Sequence, residues 1–292
     1  MATHRNISRN ARTSDGEWGR SANNVLSTDA AARQATKLAA DGPSLPELAS
    51  LARGEAVVAV SNLVAGYGNI EILHDFSLRV GLRQSLCLVG PNGAGKSTVL
   101  HSIYGFTRIV SGSIVVNGDD VTRLPSNEKL KTAGIAYILQ DNSVFPDMTV
   151  EENLLMGGFL MAHSQQAKEA VEGVFDKYPR LAQRRSQRAA VLSGGERRLL
   201  EIARGIMMNP SVLLVDEPSI GLEPRFIEMV FEILKELQQD AGKTIILVEQ
   251  NATKGLEFAD IGYVLVSGRV AVAGSGADLL RNPEVGRLFL GG

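Results

Sequence analysis

An α/β fold organised around a phosphate-binding loop is what this 292-residue sequence predicts, on three observations. Residues 90–98 read GPNGAGKST, which fits the spacing G-x-x-x-x-G-K-[ST]. The apolar run Ser85–Val89 precedes that loop and a helix-like segment, 98–104, follows it, as a strand–loop–helix unit requires. A second apolar run, 212–215, ends in the adjacent acids Asp216 and Glu217, and a helix pattern over 226–239 and a strand pattern over 244–248 come after it. Two neighbouring carboxylates at the C-terminal end of a strand point to metal and water chemistry, because ligands of open α/β sheets gather at that edge.

Composition narrows the class. A formal net charge of −2 and a pI near 6.1 give no global reason for nucleic-acid binding. No stretch approaches the roughly 18 consecutive apolar residues of a membrane span, so any action at a membrane is expected to run through partners. The single cysteine, Cys87, cannot form an internal disulfide and lies inside the apolar run before the loop, where a small buried side chain is expected.

Taken in order, residues 1–54 are rich in Ser, Asn, Ala and Arg and are interrupted by Pro43 and Pro46, which predicts a flexible extension with one short helix over 29–40. Arg5, Arg9 and Arg12 precede the first acid, Asp15, a superficial likeness to an organellar targeting peptide; the apolar core of a secretory signal is not present. From Val57 the texture changes. VVAVSNLVAGYG and EILHDFSLRV read as strands, with Tyr67 between Gly66 and Gly68 on the loop joining them. That ring is either a turn tyrosine or a platform on which adenine stacks. After the phosphate loop, 111–118 reads as a hairpin arm and 134–139 as a strand ending at Gln140. Thr149 and Glu152 match a capping box, and helical patterns over 149–161, 164–178 and 181–188 predict an inserted helical subdomain, about 141–192. LSGGE, 192–196, runs into an amphipathic helix; Ser193, Gly194 and Gly195 either cap that helix or offer a hydroxyl and N–H groups to an anion. The turn PSIGLEP follows Glu217, the pair Glu249 and Gln250 follows the strand at 244–248, and two strand-like runs with a short helical tail close the chain.

In the phosphate loop, backbone N–H groups wrap the phosphates, Lys96 sits on the β- and γ-phosphates and Ser97 on Mg²⁺. Phosphate loop, Gln140, LSGGE and VLLVDE stand in that order, and together they resemble the nucleotide-binding subunit of ATP-binding cassette (ABC) transporters over roughly Val57 to the C-terminus. Within that superfamily GPNGAGKST, EPSIGLEP, LVEQN and the terminal FLGG are most similar to the ATPase of bacterial importers for branched-chain and other hydrophobic amino acids, whose relatives handle urea and short amides.

The resemblance implies a P-loop NTPase of ABC type: a RecA-like core, an antiparallel β subdomain and the inserted helical subdomain, all within 55–292. It implies that Tyr67 stacks on adenine and that Gly90, Pro91, Asn92, Gly93, Ala94, Gly95, Lys96, Ser97 and Thr98 form the loop holding the ATP phosphates. Mg²⁺ falls to Ser97, Asp216 and Gln140, and Glu217 orients or deprotonates the attacking water. Ser193, Gly194 and Gly195 of one subunit close over ATP held by another, so the working form is a dimer. Separate membrane permease subunits, docking on a groove at about 140–165 that includes Phe145, Pro146 and Met148, and a solute-binding protein complete the expected assembly, with no nucleic-acid partner. The expected place is cytoplasmic, peripheral on the inner face of the bacterial plasma membrane.

The sequence departs from the family at several positions. A histidine usually follows the last catalytic strand; here Gln250 stands there, and the last histidine of the chain is His163. Glutamine can donate a hydrogen bond to phosphate but carries no positive charge. This motivates two readings: a heterodimer in which a histidine-bearing second ATPase subunit turns over faster, or a nucleotide-gated module with weak hydrolysis of its own. Glu196 replaces the more usual Gln of the signature, Glu223 replaces an aspartate, and Arg83 occupies a turn position where glycine is common.

Overall fold

The computed structural model describes residues 37, 39, 42–140 and 143–289; most of the helix expected over 29–40, and the terminal FLGG run beyond Phe289, lie outside them. Ten strands are found among these residues: β1 (Ala56–Tyr67), β2 (Ile70–Gly81), β3 (Ser85–Val89), β4 (Arg108–Val116), β5 (Asp119–Asp120), β6 (Ile135–Ile138), β7 (Val212–Asp216), β8 (Thr244–Val248), β9 (Ile261–Val266) and β10 (Arg269–Ser275). They form a four-stranded sheet in the order β2-β1-β4-β5 and a six-stranded sheet in the order β10-β9-β3-β8-β7-β6. The first is antiparallel throughout. In the second only β10 is antiparallel to its neighbour.

The helices in chain order are α1 (Leu45–Leu51), α2 (Lys96–Tyr104), α3 (Ser126–Lys131), α4 (Val150–Gly157), α5 (Ser164–Lys177), α6 (Pro179–Ala182), α7 (Gly194–Gly205), α8 (Pro224–Gln239), α9 (Ala252–Phe258), α10 (Gly276–Arg281) and α11 (Pro283–Phe289). None among the described residues is long and apolar enough to cross a membrane.

Strands β3, β7 and β8 are buried at every position, which explains their unbroken apolar sequences: a parallel sheet covered on both faces has no solvent side. Their side chains nonetheless alternate between two cores. Leu86, Leu88, Val212, Leu214, Ile246 and Val248 face the antiparallel sheet, whereas Cys87, Val89, Leu213, Val215, Ile245 and Leu247 face the helical side. This is the period of two imposed by the strand. Register then does the positioning. Leu88 and Asp216 both pair with Val248, so the segments after β3, β7 and β8 leave the sheet at one edge, side by side.

Two expectations are corrected. The extension expected through residue 54 contains α1, where Ser44 and Glu47 form a capping box and Leu48 is buried in the core beneath β2. Pro46 interrupts nothing there, since proline is at home in the first helical turn, whose N–H groups lack helical partners. The helix expected over 181–188 stops at Ala182. Val150 N donates to Gln187 O (2.9 Å) and Ala189 N to Met148 O (2.9 Å), so this stretch is drawn into pairing with the entrance of α4 instead.

Candidate functional site

The phosphate loop is shaped by glycines where no side chain fits. Gly90 has φ 145° and a Cβ there would lie 2.3 Å from Leu265 O; Gly95, at φ 99°, starts α2. Gly268 N donates to Ala94 O (2.9 Å), so the β9–β10 turn supports the loop from behind. Lys96 is buried, and its Nζ donates to Gly90 O (2.9 Å) and Pro91 O (3.1 Å). Burial lowers its pKa, while the carboxylates of Glu217 and Asp216 pull the other way.

One turn of the chemistry is assembled across the sheet edge. Ser97 Oγ donates to Asp216 Oδ1 (3.1 Å), and Tyr137 on β6 donates its hydroxyl to Asp216 Oδ2 (2.8 Å). Gln140, two residues beyond β6, donates through Nε2 to Glu217 Oε2 (3.0 Å). Glu217 itself has φ 41°, a left-handed conformation secured by its N–H on Val248 O (2.9 Å). Its backbone turn is therefore fixed by β8 next door, which is the kind of strain that a catalytic position can hold.

Tyr67 lies at the end of β1, paired with Ile70, rather than on a loop; the two long strands continue to their joining turn. It is 42% exposed, and its hydroxyl is hydrogen-bonded to His101 Nδ1 on α2. Gln250 is exposed just beyond β8, beside Glu249, which is buried and accepts from Ser219 Oγ (2.7 Å) and Asn251 N (3.0 Å).

At the signature, Ser193 caps α7: its Oγ donates to Glu196 Oε2 (2.9 Å) and accepts from Glu196 N (3.3 Å). Glu196 also accepts from Arg184 Nε (2.7 Å), so the carboxylate that replaces the usual amide completes a capping box and an ion pair. Burial works against that charge, and the hydrogen bonds from Ser193 and Arg184 outweigh it, leaving the carboxyl below its usual range. Gly195 packs so closely on Phe226 that a Cβ would lie 2.1 Å from its ring, whereas a Cβ on Gly194 would meet only Leu222 Cδ2, at 3.7 Å. Among the described residues no hydrogen bond joins Ser193, Gly194 or Gly195 to residues 90–98. Within one chain the capping geometry is what they form.

Several residues of this site were not singled out from sequence. Arg198 is buried and donates to Leu139 O (2.7 Å), Pro218 O (3.1 Å) and Glu201 Oε2 (2.8 Å), tying α7 to the segments that carry Gln140 and Glu217. His101 and Tyr137 were missed as well. His101 stands four residues after Ser97, hence on the same helical face, which is the one signal that could have pointed to it.

Comparison with known proteins decides the family. Residues 73–220 match the family model described as ABC transporter. The chain belongs to the ABC transporter ATP-binding family. This cassette is 43% identical over 226 residues to the high-affinity branched-chain amino acid transport ATP-binding protein BraG of Pseudomonas aeruginosa, covering 77% of this chain and 96% of that protein. It is 39% identical over 229 residues to the probable branched-chain amino acid transport ATP-binding protein LivF of Archaeoglobus fulgidus, covering 78% and 96%. Among solved structures, a nucleotide-free ATP-binding cassette from an ABC transporter superimposes with a TM-score of 0.71 at 28% identity, over 80% of this chain and 98% of that one. The α/β fold of an ABC-type P-loop NTPase is thereby established, and with it a nucleotide-binding ATPase domain.

The donor set suits Mg²⁺. Among the described residues no group of three or more His, Cys, Asp or Glu could cage a metal by itself. One hydroxyl, Ser97, and one carboxylate, Asp216, stand together instead. That pairing is what a small, water-retaining cation shared with nucleotide phosphates asks of a protein.

Proposed function

We propose that this cassette is the ATP-hydrolysing subunit of an importer for branched-chain or similarly apolar amino acids. The observation that supports the hydrolytic part is the meeting, at one sheet edge, of the phosphate loop, the Ser97–Asp216 pair and the Gln140–Glu217 pair. The cargo rests on the likeness to the two branched-chain relatives above.

In this reading Gly90 to Thr98 enclose the phosphates and Lys96 leaves its carbonyl partners to neutralise the β- and γ-phosphate oxygens. Ser97, Asp216 and Gln140 would hold Mg²⁺, which would supply positive charge to offset the phosphate charge that opposes attack. Glu217 orients the water and accepts its proton, with the Gln140 amide holding the carboxylate in place. Hydrolysis of this kind needs little more than positioning and charge compensation. Tyr67 offers its exposed ring to adenine, and Ser193, Gly194 and Gly195 of a second cassette complete the site in a dimer.

The membrane permease subunits would dock where Leu139, Phe145, Met156 and Phe159 leave apolar surface exposed, 75% in the case of Phe159. That docking makes the cassette peripheral on the inner face of the membrane, and a solute-binding protein acts across it. Gln250 favours a heterodimer, because an uncharged side chain at that position supports the γ-phosphate less than histidine does; the weakly hydrolytic partner is the second reading. Uptake of labelled leucine and of labelled urea by vesicles carrying the membrane subunits and this cassette tests the cargo. ATP-dependent leucine uptake supports it, and urea uptake alone overturns it.

A further inference from the structure

Between the Tyr67 ring and Asp216 lies a set of aromatic side chains that the roles above leave unused. The His101 imidazole bonds the Tyr67 hydroxyl through Nδ1 and stands edge-on to that ring, with centroids 6.0 Å apart and planes at 84°. Two further rings confine it: Tyr137 at 5.6 Å and 83°, and Phe106 at 5.7 Å and 69°. The Tyr137 hydroxyl ends on Asp216, whose other oxygen accepts from Ser97. Ser97 and His101 are one turn apart on α2. The circuit His101, Tyr137, Asp216, Ser97 and back along α2 is closed.

We propose that His101 is a positioning residue that holds the Tyr67 ring in place for the nucleotide base, and that α2 thereby sets base platform and phosphate ligands at a fixed separation. This rests on the reading of Tyr67 as the adenine platform. A tyrosine at a strand end, 42% exposed, loses side-chain freedom when a base stacks on it. Anchoring its hydroxyl beforehand removes part of that loss, and preorganisation of this sort appears as affinity. Because the anchor stands on the helix whose first turn carries Lys96 and Ser97, the base and the phosphates of one ligand are both referenced to one rigid element. The class of ligand that benefits has a flat aromatic base and a phosphate chain together; a phosphate chain alone gains nothing from His101.

The test uses the full-length chain with Mg²⁺ and two probes, ATP and inorganic tripolyphosphate. Tyr67→Phe keeps the ring and removes the anchor, His101→Leu removes the anchor from the other side, and His101→Asn returns an acceptor near the place of Nδ1. Losing one net hydrogen bond predicts ATP binding weaker by about 2- to 10-fold in Tyr67→Phe and in His101→Leu. The double variant should be no weaker than either single one, His101→Asn should recover most of the loss, and tripolyphosphate binding should stay unchanged. The loss should appear in KM rather than in kcat. Wild-type ATP affinity in Tyr67→Phe and His101→Leu overturns the proposal, as does an equal loss for tripolyphosphate in His101→Leu, which would mean that the histidine merely packs α2. Tyr67→Ala separates the underlying reading: if it too binds ATP normally, the platform itself is wrong, whereas weak binding by Tyr67→Ala beside normal Tyr67→Phe removes only the anchor.

Discussion

The Arg198 guanidinium lies 2.8 Å from the Glu201 carboxylate, with the two side chains 4% and 5% exposed, one turn apart on α7. The pair is less a brace for the helix than a means of delivering a buried cation to carbonyls outside it. Arg198 reaches Leu139 O and Pro218 O, the residues next to Gln140 and Glu217. Removing one partner of a buried ion pair strands the other charge and costs about 3–5 kcal/mol. Arg198→Met should therefore lower unfolding free energy by about that much in denaturant titration, and the surviving folded protein should lose hydrolysis more than ATP binding, because Gln140 and Glu217 lose their common support.

Lys129 predicts a rise of stability with pH. Its side chain is fully buried, with Nζ donating to Ile103 O (2.7 Å) near the C-terminal end of α2. Burial, opposed by the Asp120 carboxylate, pushes its pKa down to about 8 from the ordinary 10.5. Below pH 8 both folded and unfolded chains hold the proton, and the folded one bears the cost of the buried charge. Between pH 8 and 10.5 the unfolded chain holds more protons, so stability grows, by up to about 3 kcal/mol over the full span. Denaturant midpoints followed from pH 7.5 to 10 should show this rise relative to Lys129→Met, which should lack it. Parallel curves for the two proteins would refute the assignment.

Arg83 explains a departure that its residue type left open. Its φ of 58° places it in the left-handed region, where a Cβ costs about 1–2 kcal/mol and glycine costs nothing of the kind. Its N–H bond to Thr244 Oγ1 (3.1 Å) survives replacement of the side chain. Arg83→Gly is expected to raise stability by about 1 kcal/mol in the same titration. A loss of stability would mean that the guanidinium's contacts outweigh the backbone strain.

Gln250 is exposed, so exchanging it should not disturb the core. Gln250→His should raise single-turnover ATP hydrolysis by the isolated chain. An unchanged rate would remove the reason for assigning the slower site of a heterodimer to this subunit.

How far the sequence reached depends on the range of the interactions. The strands β3, β7 and β8 were legible because full burial writes itself as continuous apolar residues. The cap at Thr149 was legible because both its partners lie within four residues. Ser97 was legible in the loop motif, and Asp216 and Glu217 at the end of an apolar run, but motif spacing carries no distance between them and Gln140; register supplies it. The Tyr67–His101 bond joins residues 34 apart, and the reach of Arg198 to Leu139 spans 59, separations at which no periodicity in the chain survives. The helix α1 was hidden because two prolines and a polar texture read as linker, while its one deeply buried side chain, Leu48, becomes apolar surface worth covering only once β2 is folded.

The central claim is that Glu217 prepares the attacking water while the rest of the site binds the nucleotide, and Glu217→Gln tests it most directly. Measured with Mg²⁺ and ATP under single-turnover conditions, the substitution should cut hydrolysis by about 10²- to 10⁴-fold, with ATP affinity within about twofold of wild type. Hydrolysis at the wild-type rate would contradict the account.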